Sequence, residues 1–433
     1  MSLIPPRFPL NIYDELLFRF DQPSSPLVQH MEIRVTPQLD EARLQQAILS
    51  AAQTHPIMQV AMAAYSESDS QFFWQYSQEL QTAPLTVEQV DNEEAIPPMR
   101  DTFYSHPMSL LEAPPFRCLL VQRGEEESIL MLKVSAVASD SIGMLLFLQT
   151  LLQHYENPQT GSPHPDFLAF RQQHVKEHSE GLKVISKLLE ALSTTLKPAS
   201  RIARTGPEDA TGVGIAPIVF NTAQTKALGI STEDPRALTN RLFTALHVAV
   251  EEWNHSHEQK TGLINFVHPV NTREVPWQQS IASNLSMWVN ISSQAKDRAN
   301  IQSLEALMAE QTGQLVNEGI LHLLVELAQE LKRLPSWLRQ VVPGLLPLTG
   351  GRLIGTAVVS TLPVLARLQT PTLSVKEWFF TPPCKMPTGA SVGAMLYDHR
   401  LHLGLRYHQQ QFTEDDAWAF AEVLIDALNK THH

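Results

Sequence analysis

Segments of strand type and of helix type alternate along this chain of 433 residues, on both sides of a stretch at 197–214 that is rich in Pro, Gly, Ser and Thr. Apolar residues at alternate positions are typical of strands, and apolar residues three or four positions apart are typical of helices. The alternation therefore predicts mixed α and β structure in each half. Because one core rarely serves so long a chain, we expect a lobe at 1–175, a linker at 176–214 and a second lobe at 215–433.

The predicted elements follow the same mixed order in both halves. In the first half they are a strand at 27–35, a helix at 39–54, a strand at 71–76, a hairpin of 116–121 with 129–137, and a helix at 140–155. In the second half they are a strand at 216–220, a helix at 239–254, strands at 262–270 and 287–291, a mainly helical segment at 301–333, a buried strand at 353–362, a hairpin of 391–397 with 400–407, and a helix at 413–428. Asp398 and His399 fit a tight turn in the last hairpin, and Thr413 fits a helix N-cap.

The charge balance and the cysteine count exclude several classes of protein. Asp and Glu total 45 against 32 Lys and Arg, which gives a net charge of -13. A nucleic-acid binder needs a basic surface, so we expect no nucleic-acid partner. Cys118 and Cys384 are the two cysteines, too few for a disulfide framework or a thiolate zinc site. The spacing of the histidines also predicts no metal site.

The sequence also predicts whether the chain crosses a membrane and in which compartment it lies. The first residues show neither the basic region nor the long apolar region of a signal peptide. The most apolar long stretch, 341–366, contains three prolines and Arg352, whereas a membrane span needs about 20 residues of unbroken helix. We therefore expect no transmembrane segment and a soluble, cytoplasmic protein.

The segment from Pro115 to Gly143, PFRCLLVQRGEEESILMLKVSAVASDSIG, resembles the active-site region of the CoA-dependent acyltransferase superfamily. That group includes chloramphenicol acetyltransferase, the condensation domains of nonribosomal peptide synthesis, and the wax-ester synthase and diacylglycerol acyltransferase family. Its members carry a hairpin that ends in the motif HHxxxDG and leads into a helix. Further segments resemble the superfamily in the same order: 11–20, 268–273 with 284–286, 358–363 as a strand that crosses between the halves, and 391–407 as a terminal hairpin. The resemblance implies an α+β fold of two chloramphenicol-acetyltransferase-like lobes, packed as a V around a central tunnel.

The motif window departs from the family pattern at three of its four defining positions. Ser135 and Ala136 stand where the family has two histidines, and Ser141 stands where it has glycine. In the family the second histidine is the general base that takes a proton from the acceptor, and the methyl group of Ala136 accepts no proton. The retained Asp140 is structural in the family and pairs with the arginine that Arg273 resembles. A buried ion pair of this kind is therefore implied here.

The resemblance implies an acyl thioester of CoA or of a carrier-protein phosphopantetheine arm, with an alcohol or amine acceptor. The first hypothesis is a divergent condensation-like acyltransferase that lacks the usual histidine. The alternative is a non-catalytic pseudoenzyme that serves as a binding or scaffold protein in a biosynthetic pathway. The expected partners are the small-molecule donor and acceptor, with an acyl carrier protein as a further candidate and no bound cofactor.

Several residues are candidates for the site besides the motif positions. His106 and His268 are candidate replacements for the base, although a hydrogen-bonded histidine at a strand end is the alternative for His268. The residues expected to line the tunnel are polar: Ser135, Ser139, Ser141, Asn284 and Ser286. Serines in such a loop also commonly hydrogen-bond to the loop backbone, and a turn role is the alternative for Asn284 and Ser286.

Overall fold

The structure, a computed structural model, describes residues 4–21, 26–64, 71–163, 198–231, 233–273, 278–315, 355–363 and 372–431. In the first half the elements are β1 (Arg7–Pro9), α1 (Ile12–Phe20), β2 (Val28–Thr36), α2 (Glu41–Thr54), a 3-10 helix (Pro56–Gln59), β3 (Val60–Met62), β4 (Phe73–Tyr76), β5 (Leu85–Val90), a 3-10 helix (Glu93–Ala95), α3 (Ile96–Ser105), β6 (Phe116–Arg123), β7 (Glu127–Ser135) and α4 (Ser141–Glu156). In the second half they are β8 (Val213–Val219), α5 (Thr222–Ala227), α6 (Pro235–Ser256), β9 (Ile264–Asn271), β10 (Ser286–Ser293), α7 (Ala295–Arg298), α8 (Ile301–Leu315), β11 (Ala357–Thr361), β12 (Ser374–Thr381), β13 (Ala390–Tyr397), β14 (Arg400–His408) and α9 (Glu414–Lys430).

The first half is built on a five-stranded sheet with the strand order β12-β2-β7-β6-β5. Neighbouring strands are antiparallel except β5 and β6, which are parallel. The apolar residues of α2 and α4 recur at helical spacing, and Leu44, Ile48 and Phe147 join Leu130 and Leu132 of β7 in one buried cluster. Burial of each such side chain contributes about 1.5–3 kcal/mol, so this face of the sheet holds the hairpin and the helix after it together. A smaller sheet, β1-β4-β3, adds to the same half.

The second half is built on a six-stranded sheet with the order β10-β9-β11-β13-β14-β8. Helices α6 and α9 pack together, and α8 packs on α6. Their apolar faces meet the sheet in a second buried cluster that includes Phe243, Leu246, Phe266, Leu403 and Phe420. The fold class predicted from the sequence, mixed α and β structure, is confirmed.

The hairpin of β13 and β14 has the turn that its sequence predicts. Tyr397 pairs with Arg400 at the end of the ladder, and the two residues between them, Asp398 and His399, have φ of 48° and 60°. Two successive residues with positive φ match the two-residue turns that suit the twist of a hairpin. At the next helix, the hydroxyl of Thr413 accepts from the backbone N–H of Asp416 at 3.1 Å, as the N-cap prediction requires.

The strand that crosses between the halves is β12, and the prediction that placed it at 358–363 is wrong. Residues Ala357–Thr361 form β11, which lies inside the six-stranded sheet and runs parallel to β9 and β13. β12 instead pairs with β2 in the five-stranded sheet while it packs against β13 and β14. Gly393 and Gly404 permit this approach, because a Cβ atom at either position would lie 2.1 or 2.6 Å from the carbonyl oxygen of Phe380.

Some predictions fall wholly or partly outside the described residues. The segment 301–333 is helical over Ile301–Leu315, and its remainder lies outside the described ranges. So do 176–197 of the expected linker, Arg352 and most of the apolar stretch at 341–366. The domain boundaries and the V-shaped arrangement stay predictions. None of the helices within the described ranges is both long and apolar enough to cross a membrane.

Candidate functional site

The loop that carries the motif window joins the end of β7 to the start of α4. The backbone N–H of Ser135 donates to Pro115 O at 2.9 Å, and that of Ala136 donates to Leu27 O at 2.8 Å. The backbone N–H groups of Ala138 and Ser139 both donate to Ser135 O at 3.1 Å. The residues just before β6 and β2 therefore fix where the loop begins. The bonds to Ser135 O form a tight turn that sets the path of the loop.

Asp140 and Arg273 form a buried, two-point ion pair. Arg273 Nη1 donates to Asp140 Oδ2 and Nη2 donates to Oδ1, both at 2.8 Å. The same carboxylate caps α4, because Oδ1 also accepts from Gly143 N at 2.8 Å, and Oδ2 accepts from Leu285 N at 2.8 Å. One side chain thus fixes the helix, the loop and a segment of the second half.

The remaining donors of Arg273 are also satisfied. Nε donates to Ile281 O at 3.0 Å, Nη1 to Asn271 Oδ1 at 3.0 Å and Nη2 to Ser283 O at 2.5 Å. The guanidinium therefore uses all five of its N–H groups. A buried ion pair is stable only when such additional hydrogen bonds compensate for the lost water, and this pair meets that condition.

The segment 281–286 of the second half lies directly against the loop. Asn284 N donates to Ala138 O at 3.0 Å, and Ser139 Oγ donates to Ala282 O at 2.6 Å. A Cβ atom at Gly143 would lie 2.2 Å from Ala282 O, so only glycine fits in the first turn of α4. The loop therefore lies where the two halves meet.

The serine hydroxyls of the loop are engaged within the protein. Ser135 Oγ accepts from Val137 N at 3.3 Å, and Ser141 Oγ donates to Gln29 Oε1 at 2.9 Å. The Gln29 amide in turn donates to Ser139 O at 2.5 Å. All three serines are at most 8% exposed. Their contacts are those of serines that stabilise a loop, which is the alternative that the sequence left open.

Ala136 occupies the position that the resemblance assigns to the general base. It is 4% exposed and belongs to the large apolar cluster of the first half. The nearest polar side chains along the chain are already engaged: the hydroxyl of Ser135 and the carboxylate of Asp140 accept hydrogen bonds, and the hydroxyl of Ser139 donates to Ala282 O. The loop therefore brings no uncommitted proton acceptor to this position.

The two candidate replacements for the base lie elsewhere in the fold. His106 is exposed and follows the end of α3. His268 is buried on β9, where its Nδ1 lies 2.8 Å from Val359 O and its ring meets Phe243 edge-on. Burial lowers the pKa of His268, and the bond with Val359 opposes this shift. Among the described residues, no hydrogen bond connects either ring with the loop at 135–141.

Asn284 places a free donor beside the loop. Its Oδ1 accepts from the N–H and the Oγ of Ser286 at 3.3 and 3.1 Å, and its carbonyl oxygen accepts from Asn11 Nδ2 at 3.3 Å. Its own Nδ2 is buried and has no acceptor among the described residues. Buried donors are normally paired, so this amide is suited to meet an acceptor that a ligand brings.

Sequence reasoning missed a row of basic residues across the five-stranded sheet. Arg117 of β6 lies opposite Lys133 of β7, and Lys133 lies opposite His30 of β2. Arg406 of β14 is buried beside the row, and it donates to Val28 O at 2.5 Å. The hairpin register alone pairs Arg117 with Lys133, so part of the row could have been found from the sequence. The contribution of Arg406 needs the packing of the two halves.

Burial controls the protonation of this row. Burial lowers the pKa of Lys133 to about 8, and the nearby charges of Arg117 and Arg406 add to the shift. Burial likewise lowers the pKa of Arg406 to about 10. His30 stacks on Tyr104 with ring centroids 3.9 Å apart, and burial holds its pKa well below the usual range. The described residues contain no group of three His, Cys, Asp or Glu side chains placed to hold a metal.

Comparison with known proteins agrees with this geometry. The model of the condensation domain family matches residues 17–186. The curated protein "Uncharacterized protein Rv2305" of Mycobacterium tuberculosis (strain H37Rv) is 25% identical over 364 residues, which are 82% of this chain and 82% of that protein.

Two solved structures of condensation domains show the same fold at low identity. The first condensation domain of the calcium-dependent antibiotic synthetase has a TM-score of 0.71 at 13% identity, over 98% of this chain and 96% of that one. The starter condensation domain of rhizomide synthetase, in complex with C8-CoA and Leu-SNAC, has a TM-score of 0.68 at 15% identity, over 99% and 94%. The resemblance to condensation domains is thus confirmed: their family model matches residues 17–186 of this chain, and the chain has their fold.

Proposed function

We propose that this chain is a divergent condensation-like acyltransferase that handles an acyl thioester and an alcohol or amine acceptor, and that it works without a base in the motif loop. The motif loop is the observation on which the proposal rests. Its structural contacts are retained, since the ion pair of Asp140 and Arg273 joins the loop to the second half. The position that the resemblance assigns to the base is instead occupied by the methyl group of Ala136.

The donor that we propose is an acyl thioester of CoA or of a carrier-protein phosphopantetheine arm. The match to the condensation family supports an acyl thioester, and the rhizomide synthetase domain of the same fold was solved with C8-CoA. A carrier protein would be the partner in the second case. The cytoplasm, where acyl thioesters of both kinds are made, is the compartment that we propose.

The reaction that we propose needs no covalent intermediate on the protein. The acceptor nitrogen or oxygen attacks the thioester carbonyl carbon, the bond from that carbon to sulfur breaks, and the acceptor proton passes to the released thiolate through water. Without a base, the protein contributes by holding the reactants in line, which can itself lower the barrier substantially. The unpaired Nδ2 of Asn284 is our candidate donor to the carbonyl oxygen, where negative charge develops.

The test is the substitution Ala136→His in the full chain, assayed with acyl-CoA substrates and a panel of amines and alcohols. We expect the native chain to transfer acyl groups slowly and the variant to be faster by about 10²–10⁴-fold, the usual contribution of a general base. Ser135→His is the matched control, because it restores the other histidine of the motif and should give no comparable gain. Measurable and equal rates for the native chain and Ala136→His would refute the proposal, because an added base would then give no advantage.

A second candidate function is binding without transfer. The packing of Ala136 in an apolar cluster and the engagement of the loop serines favour it. In that case a thioether analogue of acyl-CoA, which cannot be cleaved, binds to the native chain, and no acceptor in the panel yields product. Saturable binding with no transfer by the native chain selects this function, whereas measurable turnover excludes it.

A further inference from the structure

A cavity of about 400 Å³ lies beside the start of β6. Cavities of this size hold small molecules in other proteins. One wall comes from the segment that enters β6, and the other from the segment between β4 and β5. The wall residues that matter below are Ala113, Pro114, Arg117, Ser77, Gln81 and Thr82. Glu79, which also reaches the cavity, is exposed to solvent.

The guanidinium of Arg117 is held in one orientation. Its Nη1 donates to Pro114 O at 2.6 Å and to Phe116 O at 2.7 Å. These bonds use both hydrogens of Nη1, and among the described residues Nε and Nη2 donate to no acceptor. The free edge therefore presents two parallel N–H groups, the arrangement that binds a carboxylate or a phosphate at two points. Because the side chain is already fixed, little entropy is lost when an anion binds.

A second cation, Lys133, lies close to Arg117. Lys133 lies directly opposite it on β7, and like charges in that position repel each other. The Nζ of Lys133 donates to the backbone carbonyls of Phe103 and His106 at 2.6 and 2.9 Å, and these partners bring no negatively charged group to it. Burial lowers the pKa of Arg117, and the negative charge of Glu112 opposes this shift. An anion at the free edge of Arg117 would relieve the repulsion between the two cations.

We propose that this cavity binds the oxyanion of a small molecule, a carboxylate or a phosphate group, on the Nε and Nη2 edge of Arg117. The remaining wall suits the rest of such a molecule, since Ser77, Gln81 and Thr82 offer polar groups and Ala113 and Pro114 offer apolar ones. The site is separate from the reaction proposed above, because it requires neither acyl transfer nor a base in the motif loop.

The test is calorimetric titration of the full chain with inorganic phosphate and, separately, with acetate, near neutral pH and at constant ionic strength. We expect at least one of the two anions to bind saturably, and the tighter one identifies the group that the site prefers. Arg117→Gln should weaken that binding by about tenfold to hundredfold, the range for hydrogen bonds to a charged group. Arg204→Gln is the control, since it removes an exposed guanidinium outside the cavity and should leave the affinity unchanged.

A second variant keeps the test decisive if Arg117→Gln does not fold. Thr82→Glu adds a carboxylate to the cavity wall at an exposed position and leaves the bonds of Arg117 intact. Repulsion should weaken anion binding by about fivefold. The proposal is overturned if neither anion binds saturably, or if the affinity of the native chain survives either substitution in a variant that is folded by circular dichroism.

Discussion

Gly143 faces the carbonyl group of Ala282 so closely that a Cβ atom at position 143 would stand 2.2 Å from its oxygen. Gly143 lies in α4, the helix after the motif loop. Ala282 lies in the segment of the second half that packs against this loop. This approach lets the backbone N–H of Gly143 donate to Asp140 while Ser139 reaches Ala282 O. The absence of a side chain at one position is thus a condition for the meeting of the two halves.

We expect Gly143→Ala to destabilise the protein by about 1–3 kcal/mol, the usual cost of forcing extra atoms into packed structure. Gly313→Ala is the matched control, because Gly313 lies in α8 and a Cβ atom there meets nothing within 4 Å. That change should stabilise the chain by about 0.4–1 kcal/mol. Urea unfolding followed by circular dichroism measures both. If Gly143→Ala is as stable as the native chain, the docking described here is wrong.

We expect Asp140→Asn and Arg273→Ala each to destabilise the fold by about 3–5 kcal/mol, because each leaves a buried partner uncompensated. In a double-mutant cycle the effects should be far from additive, since the second change removes the orphaned group. The exposed pair of Lys430 and Glu252 is the control, and Lys430→Ala should alter the free energy of unfolding by less than about 0.5 kcal/mol. Unchanged urea midpoints for both loop variants would contradict the structural role of the pair.

The stability of the protein should fall as the pH drops from about 6.5 to about 4, in part because of His402. This residue is buried with neither ring nitrogen hydrogen-bonded to a described residue, and burial lowers its pKa to about 4. Between these pH values the unfolded chain binds a proton that the folded chain does not, so the stabilisation is complete above the unfolded pKa and is lost as the pH falls.

The contribution of His402 corresponds to about 3 kcal/mol between the two ends of that range. His402→Leu should therefore flatten the acid side of a plot of unfolding free energy against pH. His255→Leu, at an exposed position in the last turn of α6, serves as the control and should leave the plot unchanged. An acid side as steep in His402→Leu as in the native chain would rule out this residue as a source.

Asp101 should have the opposite effect on the pH dependence of stability, because its carboxyl favours the folded state more at low pH than at neutral pH. Burial raises its pKa to about 6, the charge of Arg100 lowers it, and the charge of Glu414 raises it again. The folded chain thus holds a proton that the unfolded chain releases, so this carboxyl disfavours the folded state increasingly as the pH rises toward 6. We expect Asp101→Asn to stabilise the protein at neutral pH by about 1 kcal/mol, a value reduced for the partial exposure of the group. A lower melting temperature for this variant at neutral pH would contradict the assignment.

The sequence predicts the parts of the fold that depend on local pattern. The hairpin of β6 and β7, the helix α4 and the turn at Asp398 and His399 all follow from periodicity and turn chemistry within a few residues. β12 was missed because its partner β2 lies far away in the chain, and local periodicity carries no signal for that pairing. β5 was missed because Leu85–Val90 is largely exposed, so its alternation of apolar residues is weak.

The features of the candidate site also fall into two groups, those that could be predicted from the sequence and those that required the structure. The pairing of Asp140 with Arg273 follows from the resemblance, which supplies a long-range contact that periodicity cannot. The unpaired Nδ2 of Asn284 and the free edge of Arg117 depend on which hydrogen bonds the neighbouring backbone offers. Those partners come from segments distant in sequence, so only the three-dimensional structure identifies them.

The position of β12 has a consequence for recombining this protein with its relatives. Residues Ser374–Thr381 complete the sheet of the first half, so a fragment that stops before them leaves β2 with an open edge, prone to aggregation. A chimaera that exchanges first halves should therefore carry its own version of this strand. Each half thus depends on the other, because the sheet of the first half includes β12 from the second. The segment to exchange between relatives is therefore the first half together with β12.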